Sequence, residues 1–422
     1  MKIETLSTLS LHYAWVVLVI STLVVFGSLG LARFGYTVVL LAMQTSLGMD
    51  NTQAGMLATS NLIGYTALSV IGGALAARFG PRRVITAGLA LAGIGMLLTG
   101  LAAGFLPVLV WRVLTGIGSG ASNVPVMGLL AAWFATRQRG LAAGIAVAGS
   151  SLALIFVGPV VPSLLVAYGE NGWRVCWFIF GGITLLLAVG NLLFLRNRPA
   201  EKGLSPLGEN EMVRLDPPQA GPAPAEALEW GRIYRAAMVW HLGLVYAAFG
   251  LAYIIYMTFF TKFLVAEGGY SPAAAGGLFM LMGWFSLLCG LIWGTISDRI
   301  GRKPALMMVY LIHVVAFGLF ALWPAPPGFT LSAILFGLTA WSIPAIMAAT
   351  CGDVLGPRLA PAALGFLTLF FGSGQAIGPS LAGAIADAAG SFAPAFLLAA
   401  AVSLLGALGA FLLRPASTVG EG

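Results

Sequence analysis

The sequence predicts an all-α membrane protein with twelve transmembrane helices, arranged as two pseudo-symmetric six-helix bundles. The 422-residue chain is 59% hydrophobic and only 8% charged, which leaves too little polar surface for a water-soluble protein of this length. Apolar runs long enough to cross a bilayer recur along the whole chain. Short motifs also repeat between the two halves of the chain, which indicates an internal duplication.

A polar segment divides the apolar runs into two sets of six. This segment, residues 196–235, is rich in Pro, Ala, Glu and Arg and is predicted to be a cytoplasmic linker between bundles at 1–195 and 236–422. The first apolar run is too long for a cleaved signal peptide, so we expect it to be the first helix. The predicted spans are 13–42, 52–77, 84–103, 106–135, 140–168, 173–195, 236–265, 272–297, 304–323, 328–351, 361–386 and 391–413.

The net charge of +7 reports topology rather than a nucleic-acid partner. Of the 21 lysines and arginines, Arg174 and Lys262 fall on one side of the predicted membrane, and Arg33 and Arg112 fall within spans. All the others lie on the side of the linker, which the positive-inside rule assigns to the cytoplasm. We therefore expect a monomeric protein of the cell inner membrane, with both termini cytoplasmic.

The sequence offers no site for catalysis. The three cysteines are widely separated in the spans, which implies neither a disulfide framework nor a metal site. No His/Asp/Ser constellation or ATP-binding domain is encoded, and the glycine-rich run 115–122 lies in an apolar span without the lysine of a phosphate loop. We therefore expect no enzymatic activity, no cofactor and no metal.

Three separated places carry the internal repeat. Arg78 and Arg299 lie 221 residues apart in similar loops, "GGALAARFGPRR" (72–83) and "WGTISDRIGRKP" (293–304). The Gly-Pro pairs 158–159 and 378–379 lie 220 residues apart, and "LARFGY" (31–36) overlays "LAYIIY" (251–256) at the same separation. A steady separation over three places predicts duplicated halves related along the membrane normal.

These motifs resemble those of the major facilitator superfamily of secondary transporters, over the full length of the chain. "GTISDRIGRK" (294–303) is similar to the signature loop of the superfamily, whereas the first copy has Ala77 in place of the acid. "RVLTGIGSG" (112–120) resembles the fourth-helix motif, and the run from Gly374 to Gly383 resembles the proline-containing helix motif. "LARFGYTVVLLAM" (31–43) with residues 52–73 looks like the YbfB/YjiJ-type subfamily, and "HYAWVVLVIS" (12–21) is similar to bacterial monocarboxylate and oxalate/formate carriers.

The resemblance implies where the functional residues lie. Helices one, four, seven and ten of the superfamily line a central cavity, while two, five, eight and eleven form the interface between the halves. Loops of the signature type hold the halves together in one state and release them in the other. The residues that this implies for gating are Asp298, Arg299, Arg302, Arg78 and Asp353. The alternative is that these arginines only set the topology.

Arg33 is the leading candidate for substrate contact. An arginine at the centre of a membrane helix costs roughly 2.5 to 3.5 kcal/mol, and this cost falls where the side chain faces water. The guanidinium is also a bidentate receptor for carboxylate or phosphate. The alternative is that Arg33 extends to the lipid headgroups or bonds a neighbouring carbonyl.

Other polar side chains in the spans are predicted to line the same cavity. The repeat places two tyrosines of the seventh helix opposite Arg33 and Tyr36, and amides in other spans either bridge helices or bind a ligand. For each of them packing is the alternative. The full set of predicted substrate contacts is Arg33, Tyr36, Asn61, Tyr65, Asn123, Tyr253, Tyr256 and Gln375.

The sequence thus predicts a secondary active transporter that moves a small organic anion, of the monocarboxylate type, by alternating access. No carboxylate lies near the middle of a span. A proton therefore travels with the acidic substrate, or His241 carries it, or coupling is absent. The alternative function is an efflux carrier for hydrophobic or cationic compounds, although such exporters have acidic, aromatic cavities.

Overall fold

The computed structural model describes residues 12–135, 137–209 and 236–413, and helices dominate all three ranges. Residues 210–235, which form most of the predicted linker, lie outside the described residues. The helices of the first half are α1 Ala14–Val25, α2 Gly35–Leu47, α3 Asn51–Phe79, α4 Pro81–Leu101, α5 Phe105–Trp133, α6 Arg139–Tyr168 and α7 Gly172–Phe194. Those of the second half are α8 Ala237–Ala266, α9 Pro272–Ser286, α10 Cys289–Ile300, α11 Arg302–Leu322, α12 Pro326–Gly337, α13 Ser342–Ala389 and α14 Ala393–Leu412.

Each predicted span coincides with one or two of these helices. By length and apolarity, eight helices of the described residues could cross a membrane, or ten when two bent pairs each count as one span. Two stretches are too long for one crossing, because ~1.5 Å per residue makes 20 residues sufficient for a bilayer of ~30 Å. These are residues 139–194, with 56 residues, and α13, with 48. The first covers the fifth and sixth predicted spans, and α13 covers the end of the tenth and the whole of the eleventh. The all-helical fold with twelve predicted spans is therefore consistent with the structure.

The first span is not a uniform α-helix. Residues Phe26–Phe34 between α1 and α2 are π-helical, and Arg33 lies at the end of this segment. The segment packs very closely against α6, since a Cβ atom added to Gly30 would lie 2.1 Å from Cβ of Ala153. Wide turns of this kind are rare and frequently occur at functional sites.

The two halves meet along two seams built on small residues. Between α6 and α9, a Cβ atom at Gly158 would lie 2.5 Å from the carbonyl oxygen of Gly276. Between α3 and α13, a Cβ atom at Gly55 would lie 2.2 Å from the carbonyl oxygen of Pro379. Small residues let the backbones approach, as expected for helices in lipid. These seams join the second, fifth, eighth and eleventh spans, the interface that the resemblance implied.

The repeated loops have the same backbone geometry. Gly80, between α3 and α4, has a φ angle of +85°, and Gly301, between α10 and α11, has +93°. Both values lie in the left-handed region that glycine tolerates. These loops mark the predicted cytoplasmic face, and the loop between α2 and α3 lies on the opposite, predicted outer face.

Candidate functional site

Arg33 lies where the two halves meet. Its Nη1 atom donates to the hydroxyl of Tyr253 at 3.4 Å and to Oε1 of Gln375 at 3.5 Å. Its guanidinium carbon lies 4.4 Å from the centre of the Tyr65 ring. We call these four residues the Arg33 cluster. Because Tyr253 belongs to α8 and Gln375 to α13, the cluster connects the first half to the second.

Hydrogen bonds within the cluster fix the directions of its polar groups. Gln375 Nε2 donates to the Tyr253 hydroxyl at 2.5 Å, which leaves the Gln375 carbonyl oxygen directed toward Arg33. Asn123 Nδ2, from α5, donates to the Tyr65 hydroxyl at 3.0 Å. Asn123 Oδ1 is buried and has no hydrogen-bond partner among the described residues. Five of the predicted contact residues, from five spans, therefore come together.

A large cavity of about 1290 Å³ begins at this cluster. Tyr65, Asn123 and Gln375 line its deep end, while Gly80 and Glu201 line its mouth on the predicted cytoplasmic face. The cavity runs between α3 and α13, whose seam is closed toward the opposite face. The first, seventh and tenth spans contribute no residue to its lining among the described residues. They were expected to line it together with the fourth span, whose helix α5 does contribute Asn123 and its neighbours.

A small cavity of about 10 Å³ lies on the other side of Arg33. Arg33, Tyr36, Asn61 and Arg112 are among its lining residues. The Tyr36 hydroxyl donates to the carbonyl oxygen of Ala54 at 2.7 Å. Asn61 Nδ2 donates to the carbonyl oxygen of Arg112 at 3.2 Å. The predicted residues Tyr36 and Asn61 therefore border the small cavity and not the large one.

Tyr256 lies apart from both cavities. Its side chain is 0% exposed, and its hydroxyl is 2.7 Å from Oγ of Ser332. The ring packs among the aromatic rings of the second half, such as Phe317 and Phe336. Tyr256 lies three residues, or ~4.5 Å, further along α8 than Tyr253. Because α8 is buried on nearly all sides, the two tyrosines contact different neighbours.

Arg112 is the main residue of the site that sequence reasoning did not select as a substrate contact. It is 1% exposed, and its Nη1 atom donates to the carbonyl oxygen of Ala32 at 2.7 Å. Its guanidinium lies 4.9 Å from the centre of the Tyr36 ring and 5.1 Å from that of Trp177. The signal in the sequence was the same as for Arg33, an arginine within an apolar span.

Neither arginine has an acidic partner in the part of the chain that the structure describes. The ion pairs found there join Arg302 to Asp298 and to Asp353, far from the site. Nε and Nη2 of Arg33 and Nε of Arg112 are buried and have no hydrogen-bond partner among the described residues. The site therefore presents cationic donors that no carboxylate of the described protein neutralises.

The profile of the Major Facilitator Superfamily matches this chain over residues 18–358 and again over 263–421. The chain belongs to the major facilitator superfamily. The superfamily consists of membrane transporters and not of enzymes, so this chain is a multi-pass membrane transporter. The second, overlapping match agrees with the repeat in the sequence.

Relatives and solved structures support the same assignment. The chain is 24% identical to a probable sulfoacetate transporter of Cupriavidus necator over 92% of this chain and 91% of the relative. It is 24% identical to a hexuronate transporter of Bacillus subtilis over 86% of each chain. The crystal structure of a bacterial homologue of the human lysosomal transporter Spinster, in an inward-facing, unoccupied conformation, has a TM-score of 0.77. It shares 18% identity and covers 96% of this chain and 97% of its own, which shows a common fold.

The signature loop of the superfamily forms an ion-paired cluster within the second half. Arg302 Nε donates to Oδ2 of Asp353 at 2.8 Å, and Arg302 Nη1 bonds to Asp298 and, at 2.7 Å, to Oγ of Ser297. This cluster ties α10, α11 and α13 to one another. Arg299 is exposed, and so is Arg78, whose guanidinium lies over the ring of Phe79. Within the described part of the chain, the predicted gating residues therefore make no contact that bridges the two halves in this major facilitator conformation.

The contacts that do bridge the halves on the predicted outer face were not anticipated. The Asp387 carboxylate, at the end of α13, accepts from the backbone N–H groups of Asn51 at 3.1 Å and Thr52 at 2.7 Å, and from the Thr52 hydroxyl at 2.6 Å. Lys262 Nζ bonds to the side-chain oxygens of Gln44 and Asn51. We call these five residues the outer latch. They close the face opposite the mouth of the large cavity.

Proposed function

We propose that this transporter is a secondary carrier that moves a small organic anion, of the monocarboxylate type, by alternating access. The observation that carries the proposal is the unpaired Arg33, at the end of the large cavity. A guanidinium at this depth is costly unless it meets water or an anion. Its bonds to Tyr253 and Gln375, at 3.4 and 3.5 Å, are long and neutral, so a carboxylate replaces them at little cost.

The other residues of the Arg33 cluster position the anion. A carboxylate that enters the large cavity meets Tyr65 and Gln375 first, and Arg33 lies directly behind them. We assign the charge contact to Arg33, hydrogen bonding to Tyr253, Gln375 and Asn123, and the wall of the site to Tyr65. Tyr36 and Asn61 hold the neighbouring backbone, and we assign Tyr256 to packing.

The relatives support an acidic substrate. Two of the relatives are named for sulfoacetate and hexuronate, and both names denote anions of acids. An acidic substrate can carry a proton itself, so the site needs no carboxylate side chain for this purpose. We therefore propose that the proton travels with the substrate. His241 is a poor carrier for that proton, because it lies 12 residues from Tyr253 along α8, a distance of ~18 Å, and bonds to the carbonyl oxygen of Gly409.

We further propose that the outer latch and the Arg302 cluster control the two faces in turn. The structure has its outer latch formed and its large cavity open on the predicted cytoplasmic face. In the other state the outer latch opens, and Arg302 with Asp298 and Asp353 joins the first half. We place the protein in the cell inner membrane with both termini cytoplasmic, because of the distribution of its basic residues.

A thermal-shift screen of the purified protein tests the substrate class. The ligands are carboxylates, amino acids, sugars and hydrophobic cations. We expect organic anions to raise the melting temperature, since a ligand at about 100 times its Kd adds ~2.7 kcal/mol of stability. Arg33→Gln should lose this response and keep its folded state. Stabilisation by hydrophobic cations alone would refute the proposal and favour an efflux carrier.

A further inference from the structure

The small cavity on the far side of Arg33 is lined by two cations. Arg33 comes from the end of the π-helical segment, and Arg112 comes from α5. The two like charges repel each other. Among the described residues no carboxylate pairs with either of them. Burial of two uncompensated charges is costly, so a stable fold needs a counter-charge at this place.

Among the described residues, the buried side-chain donors at this cavity that have no hydrogen-bond partner are all cationic. Tyr36 donates to Ala54, and Thr37 Oγ1 donates to the carbonyl oxygen of Met257 at 2.9 Å. Asn61 donates to the backbone of Arg112. The donors that remain are Nε and Nη2 of Arg33 and Nε of Arg112. Three N–H donors from two guanidinium groups are suited to an anion.

The size of the cavity limits the anion to a single atom. Its volume of about 10 Å³ corresponds to roughly one water-sized occupant, which excludes an organic acid. Water satisfies the N–H groups but leaves the two charges uncompensated, whereas a halide ion does both. The Arg33 side chain is half-buried, so it can adjust by the few tenths of an ångström that separate the radii of water and chloride.

We infer that a chloride ion binds between Arg33 and Arg112. The inference goes beyond the proposed function, because the organic anion approaches Nη1 of Arg33 from the large cavity while chloride contacts Nε and Nη2 from the small one. Chloride at this site holds the Arg33 side chain in the orientation that the organic anion requires.

Direct binding of radiolabelled chloride to the purified full-length protein tests the inference. We expect saturable binding of about one chloride per chain, with bromide as a competitor. Arg112→Gln should weaken binding about tenfold or more, a loss of ~1.4 kcal/mol. The matched control is Arg174→Gln, which removes an arginine that bonds to the carbonyl oxygens of Gly100 and Ala102 on the predicted outer face. This variant should bind chloride like the wild type.

The outcomes separate this inference from the proposed function. Absence of saturable chloride binding by the wild type, or equal binding by Arg112→Gln, overturns the chloride site. The response to organic anions is measured separately in buffer that contains chloride, and this response decides the proposed function alone. Should Arg112→Gln fail to fold, crystals of the wild type grown in bromide provide the test. An anomalous peak between the two guanidinium groups supports the site, and its absence there refutes it.

Discussion

Arg33 shows how one residue can set the chemistry of a membrane site. Its guanidinium is stabilised by neutral groups alone among its described contacts, namely Tyr253, Gln375 and the ring of Tyr65. Neutral partners accept from Nη1 and pack on the guanidinium without cancelling its charge. The positive charge therefore remains available to an anion, which is the physical basis of the proposed function.

A permanent acidic partner for Arg33 should weaken anion binding and slow transport. Gln375→Glu places a carboxylate where Oε1 of Gln375 now lies, 3.5 Å from Arg33 Nη1. We expect a fall in organic-anion affinity of about tenfold or more, because the new pair must be broken before substrate binds. Substrate-induced thermal shifts and uptake into proteoliposomes measure this change.

The matched control for this variant is Gln53→Glu. Gln53 lies in the capping box of α3, where glutamate serves equally well, and its side chain does not contact the Arg33 cluster. Normal transport by both variants would show that Arg33 does not hold the substrate.

At the scale of the element, the π-helical segment and the ends of α3 and α13 decide what the site can do. The π-helical turn places Arg33 between the large and the small cavity. The N-terminus of α3 carries free backbone N–H groups, and the Asp387 carboxylate of the other half accepts from two of them. The outer latch is thus a helix cap supplied across the interface between the halves.

Loss of this cap should open the predicted outer face. Asp387→Asn removes the negative charge that interacts favourably with the N-terminus of α3 and with the Lys262 ammonium. The population of the outer-open state should therefore increase. Spin labels at Ser46 and Ala388, both exposed, report the distance across the face. We expect a new, longer component in the distance distribution. The matched control is Glu267→Gln, since Glu267 lies on the same face but bonds to Ser391 and Phe392 within the second half.

The outer latch should not respond to mild acid. Burial raises the pKa of Asp387, but the hydrogen bonds from Thr52 and Asn51 lower it more, so the net pKa lies below the usual value of 3.8. Because this pKa is lowered in the latched state, the Asp387 carboxylate stabilises the latch at any pH above its pKa. The stabilisation is lost only as the pH falls through that pKa. Distances should therefore stay unchanged from about pH 6 to about pH 5. For the Asp387→Asn variant, an unchanged distance distribution between the two spin labels would show that Asp387 does not hold the outer face closed.

At the scale of the whole molecule, the fold could be predicted from the sequence because a bilayer requires long apolar helices, which are easy to recognise. Apolar runs predicted the order of the helices, and the repeat predicted that Tyr253 lies opposite Arg33, a pairing that the structure contains. The chemical class that we propose for the site rests on the position of one charge, Arg33. Gly158 and Pro379 likewise lie at the seams between the halves.

Other features depend on contacts that no local pattern reports. The π-helical segment packs through Gly30 on Ala153 of α6, and the Tyr36 hydroxyl that follows it bonds to the carbonyl oxygen of Ala54. The partnership of Asp387 with α3 joins residues 335 or more apart in sequence. Arg112 lies near Arg33 because α5 packs on the first span. The pattern within a single helix does not predict this packing.

Uptake of a radiolabelled carboxylate by proteoliposomes, driven by an inward proton gradient, tests the central claim most directly. The wild type should accumulate the anion, Arg33→Ala should not, and Arg33→Lys should do so only weakly, because lysine keeps the charge but not the bidentate geometry. Equal uptake by the wild type and Arg33→Ala would contradict the account.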